Sequence, residues 1–339
     1  IIDNIETTDL LNEENDFSEI CKKTICYLNE KNKEMSELNN IQLFDGAEFT
    51  KEDIPKLGNT ALILISQSGE TKDLHRCIQI ANDCDLFTIG IVNVVDSLIA
   101  REVNCGCYLN AGREVAVACT KAFTSQLAVL ASMVIHFGTK RETLSSAKIA
   151  ELINALISAP RLISDILAKE SEFKNFALEL RNATDALFLG RGSLYPLALE
   201  AALKLKEISY IHAEGYPSGE LKHGPIALVD SNMPIICFAP FNDLFEKSMS
   251  NVEEVLARGG NVLLITDQEG SNYSEKDSLS KIIMPKCHSF IEPIIYALPS
   301  QLLSLIHISE PTRLLSIGYA GLCLEKKRGG GGGGGGGGG

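Results

Sequence analysis

From residue 41 onward, short apolar runs alternate with stretches of ten to fifteen residues whose apolar positions recur every three or four places. That is the pattern of βα units on a parallel sheet. Residues 60–65 (TALILI) and 87–92 (FTIGIV) read as buried strands, and 70–82 between them carries Leu74, Cys77, Ile78 and Ala81 on one helical face. Residues 114–138 read as one long helix, and 148–180 as one or two helices broken at Pro160. The pattern then restarts, with strands expected at 186–190 (ALFLG), 234–239 (PIICFA) and 261–266 (NVLLIT) and helices at 195–208 and 243–258. Strand, helix and strand over 234–266 repeat the layout of 60–92, which predicts two similar α/β domains from a duplicated unit, with a boundary between 150 and 180.

The two ends lack this texture. Residues 1–40 are polar, rich in Asn, Glu and Lys, with one short apolar patch at 20–28. Residues 305–328 show no clean periodicity and run into eleven consecutive glycines at 329–339. Evolved linkers usually mix Gly with Ser, and ISEPTR resembles translated adapter sequence, so 305–339 reads as a non-native tail that belongs to no core.

Composition narrows the class. A chain of 339 residues that is 45% hydrophobic and 22% charged can bury a large core and divides most naturally into two domains, which excludes a disordered or fibrous protein. The formal charge is −13, and Lys and Arg are scattered, so no basic stripe is present to neutralise a nucleic acid. Ten cysteines without a CxxC pair, and no apolar leader behind a basic start, read as reduced thiols of a cytoplasmic protein. The longest strongly apolar stretch, 127–137, is interrupted by Ser132 and His136 and is shorter than the ~20 residues of a spanning helix. It reads as a core helix, with no membrane partner. His75, His136, His212, His288 and His307 show no metal-ligand spacing, and Cys105-x-Cys107 is too short for a zinc knuckle, so neither metal nor cofactor is expected.

Three groups of residues carry candidate chemistry. Ser66-Gln67-Ser68-Gly69-Glu70-Thr71 follows a buried strand and opens a helix, so hydroxyls, an amide and unpaired backbone N–H groups converge at the positive end of a helix dipole. That set suits a phosphate monoester, with Gly69 allowing close approach; an ordinary helix cap made by Ser68 competes with this reading on equal terms. No Walker loop occurs, and Gly190-Arg191-Gly192 lacks the third glycine of a dinucleotide fingerprint. Glu200, Lys204 and Glu207 share one helix face; a solvated salt-bridge stripe is the plainer reading, whereas burial among Ala201, Ala202, Leu203, Leu205 and Ile208 would make a catalytic carboxylate site. His223, at the end of GELKHGP, is placed at an exposed terminus and can exchange protons near neutral pH.

These motifs, with CTKAFTSQ (119–126), LFLGRG, LEAALKLKEISYIHAEGYPSGELKHGP, EEVLARGG and PxxYALPSQLL in order, resemble the isomerase half of the glutamine:fructose-6-phosphate amidotransferase family over residues 41–304. The resemblance implies two tandem flavodoxin-like sugar-isomerase (SIS) domains with parallel sheets in three αβα layers, at 41–150 and 151–304. It implies that Ser66, Gln67, Ser68 and Thr71 hold the sugar phosphate, that Val117 and Cys119 contact the sugar, and that Glu207 moves a proton between C1 and C2 with Lys204 assisting. It further implies a homodimer in which His223 reaches in from the neighbouring subunit to open the sugar ring.

The departures from the family pattern are specific. Its glutamine-hydrolysing domain is not in this chain, its CGTS-type phosphate loop is not found within 1–40, Cys119 stands where Ser is usual, and the lysine-bearing C-terminal tail is replaced after Leu303. A fragment without glutamine-dependent synthesis is therefore expected. A non-catalytic sugar-phosphate-binding module and a stand-alone phosphosugar isomerase are the alternatives, and Glu207 and His223 discriminate, because a pure binding module needs neither.

Overall fold

The structure is a computed structural model that describes residues 41–309 apart from 57, 59, 115–117, 181–182 and 274–278. The expectations for residues 1–40 and 310–339 lie outside the described residues. The chain divides into two compact units, the first running to Ser164 and regaining Cys287–Ile295, the second comprising Asp165–Lys286 and the chain from Tyr296.

In the first unit, β1 (Ala61–Ser66), β2 (Phe87–Val92) and β3 (Cys105–Tyr108) form a parallel sheet in that order, with Ile63 opposite Ile89 and Ile91 opposite Cys107. Parallel sheets are covered on both faces, and here Leu64 and Val92 pack with Cys77, Ile78 and Ile99 from α1 (Lys72–Asp83) and α2 (Leu98–Glu102). On the other face Ile91 packs with Ala122, Val129 and Met133 of α3 (Lys121–Lys140). This is the expected three-layer arrangement.

By length and composition α3 could cross a membrane; it is 20 residues long. Its Ala122, Ala128, Val129, Met133 and Ile135 are nevertheless buried in the unit, as the core-helix reading requires. Its start differs from expectation, since the helix begins at Lys121 rather than at residue 114. Glu114 lies before the helix, and its Oε1 accepts the Thr120 and Ala122 amides at 3.0 and 2.8 Å. An acid at a helix N-terminus satisfies orphan N–H groups and the dipole together, so it ends the helix instead of continuing it.

A second correction concerns Pro160, which does not break a helix. It lies inside α4 (Ser146–Leu167), and the break falls at 168–169, before α5 (Glu170–Leu180). Ser158 and Ser164 donate side-chain hydrogen bonds to the carbonyls of Ala155 and Pro160, at 2.7 and 3.1 Å, and bind this stretch of backbone locally.

The second unit contains β4 (Asp185–Gly190), β5 (His212–Pro217), β6 (Pro234–Phe238), β7 (Asn261–Asp267) and β8 (Ser280–Met284), all parallel, in the order β5-β4-β6-β7-β8. This is the flavodoxin-like order, in which ligands gather beyond the carboxyl ends of the strands. β6 is buried along its whole length, and α7 (Phe245–Ala257) covers one face through Phe245, Val252 and Val255. α6 (Leu194–Ser209) packs on β4 and β5 and is met in turn by α10 (Ala297–Ser309). The short helices α8 (Gln268–Tyr273) and α9 (Glu292–Ile295) complete the described elements. α10 continues five residues past 304, into the stretch read as aperiodic.

Candidate functional site

The loop after β1 is built on two features of its sequence. Gly69 holds φ +66, in the left-handed region, and a Cβ there would strike the Ser97 side chain, so the turn needs glycine. The turn aims the polar side chains of its neighbours back on the loop. The Ser66 hydroxyl lies 3.2 Å from that of Thr71 and accepts the Gly69 amide at 3.0 Å, while Ser68 Oγ accepts the Glu70 amide at 3.2 Å.

Thr71, not Ser68, occupies the cap position of α1, and its side chain makes no capping hydrogen bond. The ordinary-cap reading therefore does not describe this loop. Two hydroxyls meet at a helix start that no side chain of the cap residue fills, which is what an anion needs. The N-terminus of α3 presents the contrast, because Glu114 already occupies it.

Asn93, which the sequence reading passed over, joins this loop to the next. Its amide donates to the Gln67 carbonyl at 3.2 Å, its Nδ2 donates to the Gly112 carbonyl at 2.7 Å, and its Oδ1 accepts the Ala111 amide at 3.0 Å. A polar residue directly after the apolar run of β2 was the available signal. Cys119 is half-buried two residues before α3. Val117 lies outside the described residues.

In the second unit, α6 brings together the three charged residues expected on one face. Lys204, with only 5% of its side chain exposed, sits 3.3 Å from Glu200 Oε1 and 3.0 Å from Glu207 Oε2. The Glu200 and Glu207 side chains are 20% and 31% exposed, so this is not a solvated stripe. Burial pushes the Glu200 carboxyl above its ordinary range, against the pull of Lys204. Burial also opposes the charge on Lys204, but the hydrogen bond it donates to Glu207 and the charges of both acids outweigh it and hold the ammonium above its ordinary pKa. The result is a fixed cation with a carboxylate on each side, one of which, Glu207, retains exposure.

His223 ends a short helical turn, Ser218–His223, that the left-handed Gly224 closes, and it is exposed as expected. The turn is tied to α7 through Lys222, whose Nζ lies 2.6 Å from Glu254 Oε1. Arg191, from the GRG sequence, donates to Asn251 Oδ1 of α7 at 2.9 Å and packs over Gly219. That is a structural use of a sequence that superficially resembles a dinucleotide fingerprint. Among the described residues no group of His, Cys, Asp and Glu could hold a metal ion.

Both units are parallel α/β sheets, with a hydroxyl-rich loop after β1, and the comparisons place this fold in a family. The SIS domain model matches residues 45–136 and 179–307, so the chain belongs to the SIS domain family. Within that family it is 47% identical over 264 residues to the glutamine–fructose-6-phosphate aminotransferase [isomerizing] of Bradyrhizobium diazoefficiens, which covers 78% of this chain and 43% of the relative. The Rhizobium meliloti enzyme of the same name is 44% identical over 265 residues, with 78% and 44% covered. The chain thus spans less than half the length of these curated relatives. Among solved structures, it is similar to the C-terminal domain of glucosamine-fructose-6-phosphate aminotransferase from Francisella tularensis, with TM-score 0.72 and 38% identity over 76% of this chain and 73% of that one.

Proposed function

We propose that this chain is the phosphosugar-binding and ketose–aldose isomerising half of a glutamine–fructose-6-phosphate aminotransferase, the enzyme that converts fructose 6-phosphate to glucosamine 6-phosphate. The observation that carries the proposal is the pair of hydroxyls, Ser66 and Thr71, that meet at a helix N-terminus whose cap side chain makes no capping hydrogen bond. In this reading Ser66, Gln67, Ser68 and Thr71 hold the phosphate, and Val117 and Cys119 contact the sugar.

The second unit supplies the proton chemistry. A ketose becomes an aldose when one base removes a proton from C1, leaving an enediol, and returns it to C2. Glu207 is the exposed carboxylate suited to this task. Lys204 holds it in place and stabilises the negative charge that develops during the transfer. His223, contributed by the partner subunit of a homodimer, opens the hemiketal ring. The buried Glu200–Lys204–Glu207 cluster favours this reading over a non-catalytic binding module, which has no use for a desolvated cation between two acids. A cytoplasmic location belongs to the same proposal.

Calorimetry with fructose 6-phosphate, glucose 6-phosphate and the unphosphorylated sugars tests the proposal. Only the phosphorylated sugars should bind. Equal binding of fructose and fructose 6-phosphate would overturn the phosphate assignment.

A further inference from the structure

The phosphate loop contains an acid. Glu70 stands between residues assigned to a phosphate dianion, and a carboxylate facing that ligand at contact distance would oppose its binding even at the dielectric of water. Its side chain is engaged elsewhere: Glu70 Oε1 accepts the Leu98 amide, at the first position of α2, at 2.9 Å. The next amide, Ile99, donates to the Gly69 carbonyl at 2.9 Å. Ser97, 2% exposed, lies so close beneath Gly69 that no side chain fits there. The Gly69 turn is therefore seated on residues 97–99 by two hydrogen bonds and a steric fit. The Ser66, Ser68 and Thr71 hydroxyls make their own contacts within the loop.

We infer that Glu70 is a positioning residue of the phosphate loop, one that does not touch the ligand and whose carboxylate fastens the loop to residues 97–99 in its binding conformation. The inference rests on the reading of this loop as the phosphate site. It accounts for an acid in an anion-binding loop, because without the clamp the chain would have to order the Gly69 turn at the moment of binding, and that ordering lowers affinity.

The test uses this chain and titration calorimetry with fructose 6-phosphate, together with hydrogen exchange at the Leu98 amide. Glu70→Ala should speed Leu98 exchange and raise Kd about tenfold, which corresponds to about 1.4 kcal/mol. Glu70→Gln keeps an acceptor oxygen and should raise Kd no more than about twofold. Leu98→Pro removes the donor from the other side, at a first helical position where Pro is tolerated and after a Ser97 whose extended backbone suits it. It should reproduce the Glu70→Ala loss, and the double variant should bind no more weakly than either single one.

Tighter binding by Glu70→Gln would mean that the carboxylate faces the phosphate, and additive losses in the double variant would mean that the clamp does not exist; either overturns the inference. A parent chain that fails to bind any phosphosugar removes the phosphate-site reading and the inference with it. A parent that binds, with a Glu70→Ala variant that binds equally well, removes the inference alone.

Discussion

The two repeats present the same frame with different loops. β1, β2 and β3 of the first unit run in the same order as β6, β7 and β8 of the second, and each leading strand is followed by a helix, but β6 is buried throughout whereas β1, expected to be buried, is fully so only at Leu64 and Ser66. After β1 comes SQSGET, with paired hydroxyls and a cap residue that makes no capping hydrogen bond. After β6 comes Ala239-Pro240-Phe241-Asn242-Asp243-Leu244, and there the polar groups are already used. Asp267, at the end of β7, accepts the Phe241 and Gly270 amides at 3.1 and 2.9 Å, and Asn242 Oδ1 accepts the Leu244 amide at 2.9 Å. Phe241 packs against Phe245 and Tyr273, with ring centroids 5.1 and 6.2 Å away.

A strand-to-helix turn can offer a place to an anion only where the chain does not fill it with a carboxylate of its own. Where the chain supplies its own carboxylate and aromatic rings, the same topology is closed. In the proposed reading the second repeat carries its chemistry on α6 instead, as an acid–Lys–acid cluster.

The largest expected effect belongs to that cluster. In a full-length enzyme carrying this isomerase half, Glu207→Gln keeps shape and hydrogen-bonding reach but loses the base, so glucosamine 6-phosphate formation should fall ~10²-fold or more while substrate binding persists. A fully active Glu207→Gln enzyme would end the division of labour between the repeats.

Lys204→Met tests whether the cluster is a buried ion group. Removing the cation leaves Glu200 and Glu207 facing each other in a partly desolvated site, at a cost of about 1.5–3 kcal/mol in denaturant unfolding at neutral pH. The pH dependence has a definite sign. The folded pKa of Lys204 lies above the ordinary 10.5, so its stabilisation is fully present below that value and is lost as pH rises through the folded pKa. The stability difference between parent and Lys204→Met should stay constant through neutral pH and shrink above ~10.5. A difference that vanished with added salt at neutral pH would mark a surface pair instead.

Much of this was legible in the sequence, for physical reasons that also set the limit. β2 falls at 87–92 as read, because a strand buried on both faces must be a continuous apolar run. β3, β5 and β8 were not read as strands. The first, CGCY, is four residues with a glycine; the second, HAEGYP, holds the edge of its sheet, and its His212 and Glu214 face one another at 3.5 Å, so neither shows an apolar run. The hydroxyl-rich loop after β1, proposed above to hold phosphate, was legible because its hydroxyls and glycine are contiguous in the sequence. Its supports, Asn93, Ser97 and the direction of Glu70, were not, because each acts through a contact that exists only once α2 and β2 have been placed by folding.

Within the first repeat, Ser68→Ala and Thr71→Ala should each weaken fructose 6-phosphate binding by about 1.5–3 kcal/mol, the loss of one hydrogen bond to a charged ligand. Thr71→Ala should not destabilise the fold in the way loss of a working helix cap does, since Thr71 makes no capping hydrogen bond. A fall in stability with unchanged binding would restore the ordinary-cap reading and erase the contrast between the loops.

The smallest effect comes from the corresponding loop of the second repeat, and it sharpens the comparison most. Asn242→Ala removes one side-chain acceptor from the Leu244 amide, which should cost about 0.5–1.5 kcal/mol of stability. Phosphosugar affinity should not change, because the Asp267 carboxylate still takes the Phe241 amide and the aromatic cluster still covers the turn. Asp267→Ala in addition would remove the acceptor of the Phe241 amide after β6 and, in a frame already shaped like the first repeat, should give inorganic phosphate a weak site that the parent lacks. Titrating phosphate into both variants separates the two explanations of the difference. New binding in the Asp267→Ala background would mean that occupancy by an internal carboxylate keeps this repeat silent. No binding would mean that the Ser and Thr hydroxyls after β1, and not free amides alone, make the site.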